Sequence, residues 1–202
     1  MKNPVIILAK ADFQFNFHLI AIVLSFLSSC TGNYTPKPSG FLRIEPPTAQ
    51  YTPFEETELP YAFSVSRQTA IELHEADSAV YMLNIDYPAF NAKIFCTYQR
   101  ITPHTLNEHT AECIRLAEKV ARNAKAITEQ YFENTDNNVF GTLLLIEGDT
   151  PSPIQFMLTD SISHFFRGAL YYNFKTNADS IAPVTKYLKN DISELIQTFY
   201  WK

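Results

Sequence analysis

The chain has little of the material that phosphate-binding and nucleic-acid-binding proteins need. Only five of its 202 residues are glycine, too few for a glycine-rich loop around a phosphate group. Lys and Arg number 16 against 21 Asp and Glu, giving a net charge of −5. Because nucleic acids are bound by basic stripes, this balance argues against them as partners. We find no cofactor motif, and expect no cofactor.

Cysteine is also sparse, with Cys30, Cys96 and Cys113 the three in the chain. Cys96 falls in a strand pattern and Cys113 in a helix pattern, so a disulfide would require those two elements to pack at one point. An exported protein can form such a bond. Two separate buried thiols are the favoured interpretation.

Long apolar runs are missing after residue 27, which argues against several membrane spans. The one earlier run, Leu19–Leu27, is broken only by Ser25 and leads through Ser28 and Ser29 into Cys30. An apolar segment, small residues and a cysteine form the pattern of a bacterial lipoprotein signal peptide. We therefore expect residues 1–29 to be removed and Cys30 to carry the lipid.

Two alternatives to this signal peptide stay open: an uncleaved anchor and a segment of the core. The run is shorter than the roughly 20 residues of a membrane span. Lys2 and Lys10 suit the start of a signal peptide, whereas Asp12 and the apolar patch Val5–Ala9 do not. No basic cluster favours anionic lipid, so membrane attachment would depend on two or more acyl chains.

The rest of the chain divides into a tether and one domain. Residues 30–40 contain the candidate lipid cysteine, two prolines and two glycines, and read as a flexible tether. Residues 41–202 have the size of a single domain. The stretch Glu45–Pro60 contains four prolines and is predicted to be irregular.

Hydrophobic periodicity predicts an α+β domain: a mainly antiparallel sheet of about six strands, covered by one long central helix and a C-terminal helix. The helices are predicted at Thr105–Phe132 and Ile181–Phe199. Short turns between the strands favour antiparallel pairing. The strand candidates are Phe41–Ile44, Tyr61–Ser66, Ser78–Tyr87, Ala92–Ile101, Val139–Glu147, Pro153–Thr159 and Ser163–Phe174.

The first chemical candidate lies at the start of the predicted central helix: His104, Glu108, His109, Glu112 and Cys113. Pairs four residues apart on a helix can hold a divalent metal. The spacing is not HExxH, and Cys113 lies on the apolar face while the glutamates point outward. We therefore expect a solvated helix start with one buried thiol, and no metal.

Two further candidates involve carboxylates. Asp160, Ser161, Ser163 and His164 include the residue types of a nucleophilic triad, but they are too close in sequence to converge and no GxSxG motif is present. A turn in which Asp160 binds nearby backbone is the favoured interpretation. Asp86 could be a lone general base, but has no partner nearby in sequence. No catalytic residues are predicted.

Aromatic side chains suggest the alternative function, a periplasmic lipoprotein that binds a small molecule. Phe156, Phe165, Tyr171 and Tyr172 could line a pocket. Packing in an ordinary core is the favoured interpretation of all four.

An ordered set of segments across the mature chain resembles the GldD gliding-motility lipoproteins of the Bacteroidetes. The set begins soon after Cys30 and ends at Trp201-Lys202. Its members are Tyr34-Thr35-Pro36-Lys37-Pro38, Leu42-Arg43-Ile44, Asn84-Ile85-Asp86-Tyr87-Pro88, Lys93-Ile94, Thr97-Tyr98, Gln155-Phe156-Met157-Leu158-Thr159-Asp160-Ser161, His164-Phe165, Arg167-Gly168-Ala169-Leu170-Tyr171-Tyr172, Asp179-Ser180-Ile181-Ala182-Pro183 and Tyr187-Leu188-Lys189-Asn190-Asp191-Ile192.

The resemblance implies a non-enzymatic envelope lipoprotein of the gliding and type IX secretion machinery. Its implied partners are other envelope proteins of that machinery, and the membrane through the lipid anchor. Many members have cysteines where this chain has Leu59 and Tyr81, so a disulfide between these positions is absent here. Surface export in this phylum favours acidic residues after the lipid cysteine. Residues 31–34 have none, so we expect the periplasmic leaflet of the outer membrane, with the outer leaflet of the cytoplasmic membrane as the alternative.

Overall fold

The computed structural model describes residues 46–77, 80–122 and 124–202. The expected signal peptide (1–29), the tether with Cys30 (30–40) and the predicted strand Phe41–Ile44 lie outside these residues. Their assignment therefore stays a prediction.

The described residues form ten β-strands and two α-helices. The helices are α1 (Leu106–Val120) and α2 (Ala178–Thr198). The strands are β1 (Tyr51–Phe54), β2 (Tyr61–Ser66), β3 (Ala70–Asp77), β4 (Val80–Tyr87), β5 (Ala92–Arg100), β6 (Ala126–Asn134), β7 (Val139–Glu147), β8 (Ile154–Thr159), β9 (His164–Tyr172) and β10 (Tyr200–Trp201).

The strands make two antiparallel sheets. Seven strands pair in the order β3-β4-β5-β9-β8-β7-β6, and three pair in the order β1-β2-β10. Every pair is antiparallel. The prediction of an α+β fold with a mainly antiparallel sheet is confirmed.

Alternation along the strands gives the seven-stranded sheet two different faces. In β4, Leu83 and Ile85 are fully buried, while Met82 between them is exposed. We call the side with Leu83 the inner face and the side with Met82 the outer face. Paired residues on neighbouring strands share a face, so the same two faces continue across the sheet. Cys96 lies on the inner face because it pairs with Leu83, and Thr97 lies on the outer face because it pairs with Met82.

The inner face is covered by α2 and the three-stranded sheet, and together they enclose the main core. Aromatic rings dominate its centre. Phe166 of β9 lies 4.9 Å from Tyr61 and 5.1 Å from Phe199, centroid to centroid. Gly168 makes room for this packing, because a Cβ there would clash with the Phe156 ring on the neighbouring strand. These aromatic side chains fill the centre of the main core.

The outer face is covered in part by α1. Cys113 of α1 packs with Met157 and Phe165, and Ala117 packs with Leu144 and Ile146. These partners belong to β7, β8 and β9. The helix therefore shields β9, β8 and β7, in the half of the sheet nearer β6.

The long central helix predicted over Thr105–Phe132 is wrong in its second half. Helix α1 ends at Val120, and Ala126–Asn134 forms β6. Ile127 and Tyr131 matched the helical period by chance, since both are exposed on the strand. β-branched and aromatic side chains favour strands, and pairing of all nine β6 residues with β7 overrides the helical pattern.

The predicted number of about six strands is too low. β1 lies inside the stretch Glu45–Pro60 that was expected to be irregular, and β3 and β10 were not predicted. β3 reads AIELHEAD, and its many charged residues hide the alternation of an edge strand. The bounds predicted for β2 and β7 are confirmed.

Candidate interaction surface

The outer face leaves a surface uncovered beside α1, which we call the open face. Its two exposed apolar side chains are Met82, 44% exposed, and Phe95, 43% exposed. The cross-strand register places polar Asn84 and Thr97 beside them on the same face, so apolar and polar groups adjoin. The open face comprises Glu72, His74, Met82, Asn84, Asp86, Lys93, Phe95, Thr97 and Tyr171.

Lys93 lies between two carboxylates on the open face. Its ammonium lies 3.1 Å from Asp86 Oδ1 and 3.5 Å from Glu72 Oε2. The hydrogen bond to Asp86 and the two negative charges raise the pKa of Lys93, against the opposing effect of desolvation. Asp86, the candidate lone base, is thus held as an ion-pair partner across β4 and β5.

Aromatic contacts continue the open face toward β9. The Lys93 ammonium lies 5.7 Å from the centroid of the Phe95 ring, within the range of a cation–π contact. Phe95 meets Tyr171 edge to face at 5.7 Å. Near the border with α1, Arg167 Nη2 donates to Gln155 Oε1 at 3.0 Å. Met, Phe, Tyr and Arg are side chains enriched in protein interfaces.

The metal candidates do not converge. Glu112 forms a bidentate pair with Arg115, and Cys113 is buried under α1. The Nδ1 atom of His109 accepts a hydrogen bond from Gln99 Nε2 at 2.6 Å. His104 and Glu108 are exposed. Across the described ranges, no three His, Cys, Asp or Glu side chains gather closely enough to share a metal ion.

Asp160 organises the turn between β8 and β9, as predicted. Its Oδ1 accepts from the backbone N–H groups of Ile162, Ser163 and His164 at 2.8–2.9 Å, and its Oδ2 accepts from the Ser163 hydroxyl at 2.9 Å. Burial alone would raise the pKa of Asp160, but these hydrogen bonds outweigh it and lower that pKa. Ser161 adopts a positive φ of 65° in the turn.

His164 turns away from Ser163 and joins a contact that sequence reasoning missed. Its Nδ1 shares a hydrogen bond of 2.8 Å with the Tyr98 hydroxyl, and its ring stacks on Trp201 at 5.0 Å. Burial lowers the pKa of His164. Tyr98 and Trp201 are distant from His164 in sequence, so no local motif signals the cluster. Its arrangement ties β10 to the large sheet.

The four aromatic residues considered for a small-molecule pocket do not line one cavity. Phe156 and Tyr172 are buried on the inner face, Phe165 is buried under α1, and Tyr171 lies on the open face. Only alternate residues of a strand share a face, so adjacent Tyr171 and Tyr172 point to opposite sides.

The two cysteines of the domain are separate buried thiols, as favoured from the sequence. Cys96 lies in the inner core and Cys113 under α1, on opposite faces of the sheet. Burial raises the pKa of both, to about 11 for Cys113. Leu59 and Tyr81, the positions of the implied family disulfide, both pack in the inner core.

Neither described helix combines the length and apolarity needed to cross a membrane. No curated protein sequence matches the chain. Among solved structures, the solution structure of cyanobacterial PsbP from Synechocystis sp. PCC 6803 covers 87% of this chain and 99% of its own, at 13% identity and a TM-score of 0.48. These values carry no functional argument.

A family model provides the informative comparison. The model described as gliding motility lipoprotein GldD matches residues 31–201. That range includes the open face, both helices and the C-terminal strand β10. The chain therefore belongs to the GldD family of gliding-motility lipoproteins.

Proposed function

We propose that the protein is an accessory or assembly component of the gliding and type IX secretion machinery that acts through protein contacts. Family membership over residues 31–201 carries the proposal. In this role the protein catalyses no reaction and needs no cofactor. Its contribution is to hold other envelope proteins in position.

The open face supports contact with a protein. Met82 and Phe95 present apolar area that is costly to leave in water, and the charged residues Lys93, Asp86 and Glu72 lie along one side of it. An apolar centre with a polar rim is the usual anatomy of a protein interface. A pocket that encloses a small ligand would instead need convergent polar groups.

Lipidation of Cys30 provides the membrane attachment in this proposal. The acyl chains hold the domain at the periplasmic face of the outer membrane, and residues 31–40 form the tether. Two or more chains give stable anchoring, whereas one gives marginal binding. Incorporation of radiolabelled fatty acid tests this step. Label that persists in the Cys30→Ala variant would contradict it.

Affinity purification from membranes tests the function as a whole. The tagged full-length protein should retain other gliding or secretion proteins, identified by mass spectrometry, above the level seen with Cys30→Ala. If the two samples contain the same proteins in the same amounts, the assembly role loses its support.

A further inference from the structure

Strand β6 is the edge of the large sheet beside α1. It pairs with β7 through nine consecutive residues without a register shift. Within residues 46–77, 80–122 and 124–202, no strand pairs with its other side. Seven of its nine residues are exposed. Its outward N–H and C=O groups can therefore pair with another chain.

The opposite edge of the sheet, β3, differs from β6. The pairing of β3 with β4 shifts register between Glu75 and Asp77, and Glu72 and His74 stand exposed along the strand. Bulges and charged side chains are ways in which proteins protect an edge from added strands. β6 has two exposed charged residues, Glu129 and Glu133, but no bulge and no proline. It is the edge that suits strand addition.

The outer row of β6 is Ile127, Glu129, Tyr131 and Glu133. Ile127 is 39% exposed and Tyr131 is 76% exposed, and the Tyr131 hydroxyl donates to the Glu129 carboxylate. Tyr131 and Glu133 border a groove of about 470 Å³ between the sheet and α1. Phe165 forms part of its lining. The row thus alternates apolar and acidic residues beside a mostly apolar groove.

Charge decides which occupant fits this edge. The strand has two glutamates and no basic residue, and Asp136 follows it. Lys125 precedes the strand at the end away from Glu133. Pairing of β6 with a second copy would place four carboxylates, Glu129 and Glu133 from each, on one surface. With the two strands fully overlapped, Glu129 of one copy would lie diagonal to Glu129 and Glu133 of the other. Like charges at this spacing repel, so a second copy is disfavoured.

We propose that β6 accepts an extended segment of a partner protein as an eighth strand, with Lys or Arg opposite Glu129 and Glu133 and an apolar residue opposite Tyr131. The segment would read basic-x-apolar-x-basic, since residues two apart share a face. Main-chain hydrogen bonds hold the segment, and the alternate side chains select it. The inference deepens the proposed function by naming the chemistry of one partner.

Binding of synthetic peptides tests the charge pattern. The full chain, purified from membranes in detergent, is titrated into fluorescently labelled acetyl-TKTVTKT-amide or acetyl-TETVTET-amide, and anisotropy is measured. We expect the lysine peptide to bind about tenfold or more tightly than the glutamate peptide. Its affinity should fall as salt is added. Equal affinities for the two peptides would overturn the proposal.

Charge reversal on the protein should exchange the preference. The Glu129→Lys, Glu133→Lys double variant is expected to lose the lysine peptide and gain the glutamate peptide. The gain shows that the variant is folded. The matched control, Glu108→Lys with Glu118→Lys, makes the same charge change on exposed positions of α1 and should keep the original preference. A control that switches as the β6 variant does would overturn the assignment to β6.

Backbone methylation tests the strand pairing itself. Two versions of the lysine peptide are made. One has N-methyl groups on the backbone nitrogens of the odd-numbered residues, and the other has them on those of the even-numbered residues. Only one edge of the peptide faces β6, so methylation of one set should abolish binding and methylation of the other should leave it within about twofold. Equal behaviour of both versions would exclude strand addition. If the peptide binds as expected but no machinery proteins co-purify, the assembly function is contradicted and the strand proposal stands. If machinery proteins co-purify but the peptide does not bind as expected, the strand proposal is contradicted and the assembly function stands.

Discussion

The two faces of the seven-stranded sheet differ in how completely they are covered. The centre of the inner face is covered by α2 and the three-stranded sheet. Leu83 and Phe166 on it are fully buried, as is Phe199, which packs against them from the end of α2. The outer face has only α1, and Met82 and Phe95 remain exposed. Burial of apolar area is the main source of folding free energy. The inner face therefore determines stability, and the outer face is available for contacts.

Truncation of a central ring should have the largest effect. Phe166→Ala removes a fully buried side chain from the inner core and should lower the free energy of unfolding by about 3–5 kcal/mol. The matched outer-face variant, Phe95→Ala, should lower it by less than about 1 kcal/mol. Urea unfolding followed by circular dichroism measures both. Similar losses would show that the two faces do not differ in this way.

Overpacking of the inner face should have the next largest effect. A methyl group at Gly168 would clash with the Phe156 ring, so Gly168→Ala should cost about 1–3 kcal/mol of stability. Adding Phe156→Leu makes room and should recover part of the loss. Urea unfolding of the two single variants and the double variant gives the coupling free energy between Gly168 and Phe156. Strictly additive losses would contradict the contact.

Thiol labelling compares the two faces in the native state. Cys113 becomes accessible when α1 detaches, whereas Cys96 lies in the main core and requires wider unfolding. We expect Cys113 to react about tenfold faster or more with a thiol reagent, measured by peptide mass spectrometry. Equal rates would mean that both faces open together.

Two aspartates should change the pH dependence of the free energy of unfolding in opposite directions, with effects smaller than those of the substitutions above. Burial raises the pKa of Asp191 above its ordinary 3.8. The Tyr51 hydroxyl donates to Asp191 Oδ1 at 2.9 Å, and this hydrogen bond opposes the effect of burial. Its contribution to stability is present at low pH and is lost as pH rises through the folded pKa. Asp191→Asn should therefore gain stability relative to the parent chain as pH rises above 3.8.

Asp160 provides the control with the opposite sign. Its folded pKa is lowered from 3.8, so its contribution is present above that pH and is lost as pH falls through the folded pKa. Asp160→Asn should be least stable relative to the parent chain at neutral pH. Urea unfolding between pH 3 and 7 measures both variants. Differences that change with pH in the same direction would contradict the two environments.

Much of the fold follows from local sequence. Strands such as Tyr61–Ser66 and Val139–Glu147 have both the alternation and the composition of buried strands, and helix α2 has a continuous apolar stripe. The turn at Asp160 was also predictable, because its hydrogen bonds are local. Each of these features depends on residues close together in the chain.

Features that depend on distant contacts were not predictable. Ile127 and Tyr131 fit a helical period, and only pairing with β7 makes them part of a strand. β3 gains its structure from β4, and Trp201 gains its stacking partner His164 from β9. The open face exists because α1 packs on β7, β8 and β9 and leaves β3, β4 and β5 uncovered. Tertiary pairing overrides local preference in each case.

The contact role of the outer face is tested most directly by quantitative co-purification from membranes. The variants Met82→Ser and Phe95→Ser change the open face, and Ile162→Ser, 65% exposed in the β8–β9 turn, is the matched control. All three should leave the free energy of unfolding within about 1 kcal/mol. We predict that gliding or secretion proteins are lost from the two open-face variants and retained by Ile162→Ser. Retention of the same proteins by all three variants would contradict the account.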